Sequence, residues 1–198
     1  MSEKINENLR RELLAMRERD QSTRERLVAT GELFDGYNAE METVHLNNAK
    51  RLEELIDEYG WLGISKVGED GADAAWLIAQ HAISLPQLSR KVLKMLEEAE
   101  KTGDVPPRYA AYLADRIAFF ENRPQKYGTQ ADWNENGEME VWTLADEKNV
   151  NKYRAEVGLN PLKSLILHSE EFAKNSPEDW HERQRKSEEW AKKVGWRD

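Results

Sequence analysis

The segment Ala72 to Ile83 constrains this chain most, because it is apolar except at Asp73, Gln80 and His81. A helix apolar around its whole circumference has no face to give to water, so it belongs in the middle of a domain with other elements packed round it. The rest of the sequence offers those elements. Apolar residues recur every three or four positions from Ser2 to about Val28 (Ile5, Leu9, Leu13, Met16, Leu27) and again from Tyr37 to Tyr59 (Met41, Val44, Leu52, Leu55), the spacing of amphipathic helices. Gly60 is a natural C-cap. The glycine-rich stretch Trp61 to Gly71 reads as an ordered loop around Ile64 and Val67.

Beyond the central segment, Ser84-Leu85-Pro86-Gln87 has the capping-box form and opens a helix through Leu88, Val92, Leu96 and Ala99. Pro106-Pro107 starts another, with the stripe Tyr109, Tyr112, Leu113, Ile117 and Phe120. A β hairpin is predicted for Gln125–Ala131 and Met139–Leu144 across the turn Asn134-Glu135-Asn136-Gly137. Asp146 can cap a short helix that closes at Gly158, and Asn160-Pro161 launches a helix carrying Leu162, Leu165, Ile166 and Phe172. The fold expected is mainly α: a compact helical domain of six to eight helices over residues 1–174 with a small β hairpin. Residues 175–198 form a Trp-containing C-terminal helix or arm. Its Trp180, Trp190 and Trp196 either dock on the body or contact a second copy or a partner protein.

Composition excludes several function classes. With 198 residues the chain is long enough to bury a core without a metal or disulfide, and its lack of cysteine removes thiol nucleophiles and thiolate metal sites. A formal net charge of -9 argues against nucleic-acid binding through bulk charge. No run of about 18 apolar residues is present, and the charged N-terminus lacks the apolar core of a signal peptide, so no membrane partner and a cytoplasmic location are expected. Catalogue motifs for nucleotides and metals are absent, and no two of the four histidines (His45, His81, His168, His181) share a helix at ligand spacing. No cofactor and no metal are expected on that ground.

What does stand out is polar residues on faces that periodicity assigns to the interior. Extending the first stripe beyond Met16 reaches Asp20 and Arg24 before Leu27, which turns a carboxylate and a guanidinium inward, either as a structural ion pair or as part of a site. Asn48 falls within the second stripe, where its amide needs partners. Gln80 and His81 interrupt the central helix. Asp115-Arg116 lies beside the stripe of the helix holding Tyr112 and Ile117. A carboxylate on one imidazole nitrogen of His81 would fix its tautomer and leave the other nitrogen as a base, and Asp115 is the candidate for that carboxylate. Arg116 offers a planar fork for an anion. Each has a plainer alternative: His81 as a satisfied core histidine, Arg116 bonded to Asp20 or to a carbonyl. Gln125-Lys126-Tyr127-Gly128-Thr129-Gln130 gathers amide, hydroxyl and phenol groups around one glycine, as an exposed hairpin or as a binding wall.

These pieces occur together: Asp20-Gln21 with Arg24; Gly60-Trp61 and Val67-Gly68; Ala74-Ala75-Trp76-Leu77-Ile78-Ala79-Gln80-His81-Ala82; Tyr112-Leu113 with Asp115-Arg116; Gln125 with Tyr127-Gly128-Thr129-Gln130; and Asp146, Val150, Arg154 and Gly158-Leu159. In this combination the chain resembles an uncharacterised bacterial protein family, a domain of unknown function, over roughly residues 10 to 162. Leu62 departs from the proline expected after Gly-Trp, and the tail from about Phe172 lies outside the likeness. The resemblance implies that these polar residues belong together, adding Gln21 and Arg154 to the set, and it supplies no reaction.

The function expected is binding of a small polar or anionic ligand between helices. Asp20, Gln21, Arg24, Asn48, Gln80, Gln125, Tyr127, Thr129, Gln130 and Arg154 would contact it. His81 would act as general base, Asp115 as its orienter and Arg116 or Arg24 as stabiliser of negative charge, in a hydrolase or lyase type of reaction. The alternative is a noncatalytic interaction or regulatory module whose polar network is structural.

Overall fold

Asn6 opens the first helix, α1 (Glu7–Thr30), by accepting a hydrogen bond from the Leu9 amide, and Gly31 closes it in the left-handed conformation. In this computed structural model, which describes residues 5–33, 37–169 and 174–198, six more helices follow: α2 (Ala39–Tyr59), α3 (Ile64–His81), α4 (Pro86–Lys101), α5 (Pro107–Phe120), α6 (Val150–Glu156) and α7 (Trp180–Val194). Three short strands, β1 (Ala131–Trp133), β2 (Met139–Val141) and β3 (Ile166–Leu167), form one antiparallel sheet in the order β1-β2-β3. The architecture is mainly α. The chain divides into two compact units, Met1–Ala110 and Ala111–Asp198, with the boundary inside α5.

In the first unit α3 takes the central place expected of it and packs against α1, α2 and α4. Its buried face is built from small residues, Gly71, Ala72, Ala74, Ala75 and Ala79, which let neighbouring helices approach, with Ile78 filling the space between. Leu13 and Leu27 of α1, Leu52 and Leu55 of α2, and Val92 and Leu96 of α4 complete a core that excludes water. Burying one such aliphatic side chain is worth about 1.5–3 kcal/mol, so the stripes, more than helix propensity, hold these elements in place.

Two local expectations are corrected in this unit. Residues 64–71 are helical and not an ordered loop: α3 begins at Ile64 and bends at Gly68, whose φ of 73° makes the kink. The cap for this early start comes from 39 residues away, where Asp104 accepts from the Ser65 amide through its side chain (2.6 Å) and from the Ile64 amide through its carbonyl (2.9 Å). The capping box at Ser84 does not form. Ser84 Oγ donates to Glu42 (2.8 Å), and Leu85 takes the N-cap position of α4 without a side-chain bond.

In the second unit the hairpin is present but shorter, with Ala131 opposite Val141 and Trp133 opposite Met139. Residues 125–130 form no strand beyond an isolated bridge from Gln125 to Leu144, because Asp115 takes several of their N–H groups. Among the described residues up to 169, no helix follows Asn160-Pro161. Ile166 and Leu167 instead pair with β2, and the Asn151 side chain takes over the Leu162 amide (2.6 Å) and carbonyl (3.3 Å) that a helix would have used. Phe172, placed in that helix, lies outside the described residues. The tail forms α7, capped by Asp179. Within this unit Trp196 and Trp190 pack on Phe120 at ring distances of 5.4 and 5.5 Å, and the Trp180 indole N–H donates to the Trp133 carbonyl (2.6 Å).

Candidate functional site

The periodicity that builds the core of the first unit also carries polar side chains into it. On α1 the buried positions are Leu9, Leu13, Met16, Asp20 and Leu27, so Asp20 occupies a core position with no exposed surface. On α2 they are Met41, His45, Asn48, Ala49, Leu52, Leu55 and Ile56, which makes His45 a core residue. His81 is the last residue of α3, its side chain 23% exposed. These three side chains, one from each helix, meet.

His81 Nδ1 lies 2.8 Å from Asp20 Oδ2 and 3.0 Å from Oδ1, and His45 Nε2 lies 3.3 Å from Oδ2. The two imidazole rings are 4.8 Å apart. His45 Nδ1 is 2.7 Å from the Tyr37 hydroxyl, whose ring stacks on the imidazole at 5.8 Å, and Tyr37 is linked onward to Ser84. With a carboxylate as acceptor, the bonding sense follows. His81 donates Nδ1–H and His45 donates Nε2–H to Asp20, and His45 Nδ1 accepts from Tyr37. Burial works to raise the Asp20 carboxyl, but the hydrogen bonds and electrostatic attraction of the two imidazoles outweigh it and hold the group well below the ordinary carboxylate range. Burial raises the Tyr37 phenol, which therefore stays protonated.

The carboxylate that meets His81 is thus Asp20. Asp115, expected as its orienter, is spent elsewhere: its oxygens accept from the amides of Lys126 (2.9 Å), Tyr127 (3.1 Å) and Thr129 (3.0 Å) and from the Thr129 hydroxyl (3.0 Å). Burial pushes this carboxyl up, and those four donors hold the rise in check. Arg24 does not turn inward. It is exposed, as is Gln21. Arg24 stands at the edge of the stripe, about 50° from its centre at 100° per residue, where a long charged side chain reaches solvent. Asn48 is buried and donates to the Met16 carbonyl (3.1 Å), pinning α2 to α1 beside the cluster, and Gln80 is buried on α3.

The remaining residues of the expected site belong to the second unit. Gln125 has no exposed surface and is consumed by backbone: it donates to the carbonyls of Gln130 (2.8 Å) and Trp142 (2.9 Å) and accepts from the Gln130 amide (2.9 Å). Thr129 serves Asp115 and also accepts from the Gln130 side chain (3.1 Å). Arg154 donates to the carbonyls of Tyr127 (2.7 Å), Gly128 (3.2 Å) and Asn160 (2.6 Å). Tyr127 is half-buried, with the Lys126 ammonium 5.0 Å from its ring. Burial lowers the half-buried Arg116 to about 10. Two surface clefts, one of about 480 Å³ beside Trp61 and Met95 and one of about 550 Å³ beside Trp133 and Trp180, include none of Asp20, His45 and His81. Of the three side chains His81 is the most exposed, at 23% against 10% for His45 and none for Asp20.

A family model matches residues 7–174, most of the chain, and the region includes every member of the cluster. The chain belongs to the DUF6624 family. That family is described as a family of unknown function. No curated protein and no solved structure matches the chain. No helix of the described residues is long and apolar enough to cross a membrane.

His45 is the residue that sequence reasoning missed. The signal was present, since His45 lies four residues after Met41 and seven before Leu52, on the face that turns inward, while Val44 is only half-buried. A search for two histidines on one helix could not find it, because the donors at 20, 45 and 81 come from three helices.

Proposed function

We propose that the first unit binds a small polar or anionic molecule at the Asp20–His45–His81 cluster and acts on it by hydrolase or lyase type chemistry. One observation carries this reading: a carboxylate with no exposed surface holds two imidazoles from two other helices, and one of them reaches solvent. Taking a carboxylate out of water costs several kcal/mol, and a core needing only stability does better with apolar side chains of the same volume. With Nδ1–H given to Asp20, the lone pair of neutral His81 lies on Nε2. There it can take a proton from water or from a carbon acid and return it to a leaving group. A cysteine-free acidic chain suits the reducing cytoplasm, the location we assign to it.

A second reading, a noncatalytic interaction or regulatory module, draws on the second unit. There Asp115, Gln125 and Arg154 are spent on backbone groups and the Thr129 hydroxyl on Asp115, as a structural network would be.

His81→Asn separates the two. Under the proposed function the variant keeps its melting temperature within a few degrees, and loses the binding of small anions (inorganic phosphate and acetate as probes, by calorimetry) that the wild type shows. If the cluster is structural, breaking it costs about 3–5 kcal/mol and the wild type binds neither probe.

A further inference from the structure

We propose that Asp20, His45 and His81 form a binding site for a divalent transition-metal cation. The inference rests on the reading of this cluster as a functional site and changes which group acts as base: with a cation on Nδ1, His81 keeps its proton on Nε2, and a cation-bound water takes over the role of that nitrogen. One carboxylate oxygen and two imidazole nitrogens lie within 4.8 Å of one another, and among the described residues no other such group of His, Asp and Glu occurs. Zinc bonds of about 2.0–2.1 Å in a tetrahedral arrangement place ligand atoms roughly 3.3 Å apart. The cluster has Asp20 Oδ2 at 2.8 Å from His81 Nδ1 and 3.3 Å from His45 Nε2, so small side-chain movements seat a cation among the three. On coordination the cation replaces the two N–H protons that the carboxylate accepts.

The surroundings are those a metal site needs. A ligating imidazole normally donates its other ring N–H to an outer partner, which sets its orientation. His45 has that partner in place: Tyr37 Oη is 2.7 Å from Nδ1, and a hydroxyl can donate to a bare Nδ1 in the empty site and accept from Nδ1–H in the loaded one. Asn48 ties α2 to the Met16 carbonyl of α1, fixing the two helices that carry Asp20 and His45. The donor set of two nitrogens and one oxygen suits zinc, cobalt, iron or manganese in preference to calcium or magnesium. Three protein donors, the number found among the described residues, leave a coordination position open as catalytic sites do. One carboxylate against a dication also leaves net positive charge there. The pull on an anionic ligand then needs no arginine, which agrees with the exposed position of Arg24.

The test is a titration of full-length protein, stripped by a chelator, with Co²⁺ followed by its visible absorption and with Zn²⁺ by calorimetry. The result expected is one equivalent of either ion bound, with a rise in melting temperature. His45→Gln and His81→Gln should each weaken binding by more than the ~10–100-fold typical of losing an outer partner, and Tyr37→Phe by about that amount. The inference is overturned if the stripped wild type takes up no stoichiometric Co²⁺ or Zn²⁺, or if uptake survives both glutamine substitutions. The wild-type titration decides even if a variant fails to fold. Phosphate binding by the metal-free wild type without cation uptake would sink the metal site and leave the proposed function standing. One bound cation with no anion bound, loaded or empty, would do the reverse.

Discussion

Replacing Asp115 with alanine tests whether this carboxylate belongs to a reactive site or to the scaffold of the second unit. In the structure it is 1% exposed and accepts from three backbone amides and one hydroxyl, all in the loop 126–129. Alanine leaves those donors facing a void. A buried donor without a partner costs about 1–3 kcal/mol. Three amides would therefore cost roughly 3–9 kcal/mol, and the exposed position of Lys126, whose amide water can reach, brings the expectation to about 3–5 kcal/mol. For a chain of this length that is a fall in melting temperature of about 10 °C. Asp115→Asn keeps one acceptor oxygen and should lose roughly half as much. Urea unfolding followed by tryptophan fluorescence measures both, because Trp133 and Trp142 lie in the same unit. A loss below about 1 kcal/mol for Asp115→Ala would refute the argument that the 126–129 loop is folded around this side chain, and would return Asp115 to the candidates for chemistry.

Two further substitutions test how the helices of the first unit are set. A Cβ at Gly63 would stand 2.0 Å from Asp104 Oδ2 and 3.0 Å from the Asp104 carbonyl, so Gly63→Ala must displace the residue that caps α3. A lost cap costs about 1–2 kcal/mol, read as a shift in the urea midpoint, and no shift would mean that Asp104 is not the cap. Asp70 accepts two bonds from Arg10 (2.7 and 2.6 Å), which hold its carboxyl below the ordinary value. The lowered group stabilises the fold fully above the ordinary aspartate range near pH 4, and that contribution is lost as pH falls through the folded-state value. Asp70→Asn should therefore lower the urea midpoint at pH 7, with the gap to the wild type narrowing as pH falls below the ordinary aspartate range. Parallel curves across that window would count against the pair.

The apolar central helix, the capped second helix and the proline-started fifth were legible because each rests on local rules: a stripe every three or four residues, a glycine after the last turn, a proline in the first. Asp20 stood out for the same reason, as a charge on a stripe. The misses share a cause as well. The early start of α3 depends on Asp104, Ile166 and Leu167 of the helix expected after 160 pair with β2 as a strand, and the capping box at Ser84 lost its serine to Glu42. In each a partner distant in sequence outbid a local preference worth about 1 kcal/mol.

By itself the sequence determined that this chain is mainly helical, which segment lies at its centre, and that a few polar groups must be buried, since periodicity and capping act over a single turn. Only the tertiary structure decided how those groups pair. It gave His81 to Asp20, brought His45 to the same carboxylate, and enclosed Asp115 in the loop that follows α5. Pairing of this kind depends on helices separated by tens of residues, and the stripe that buries a side chain says nothing about which other helix it will face.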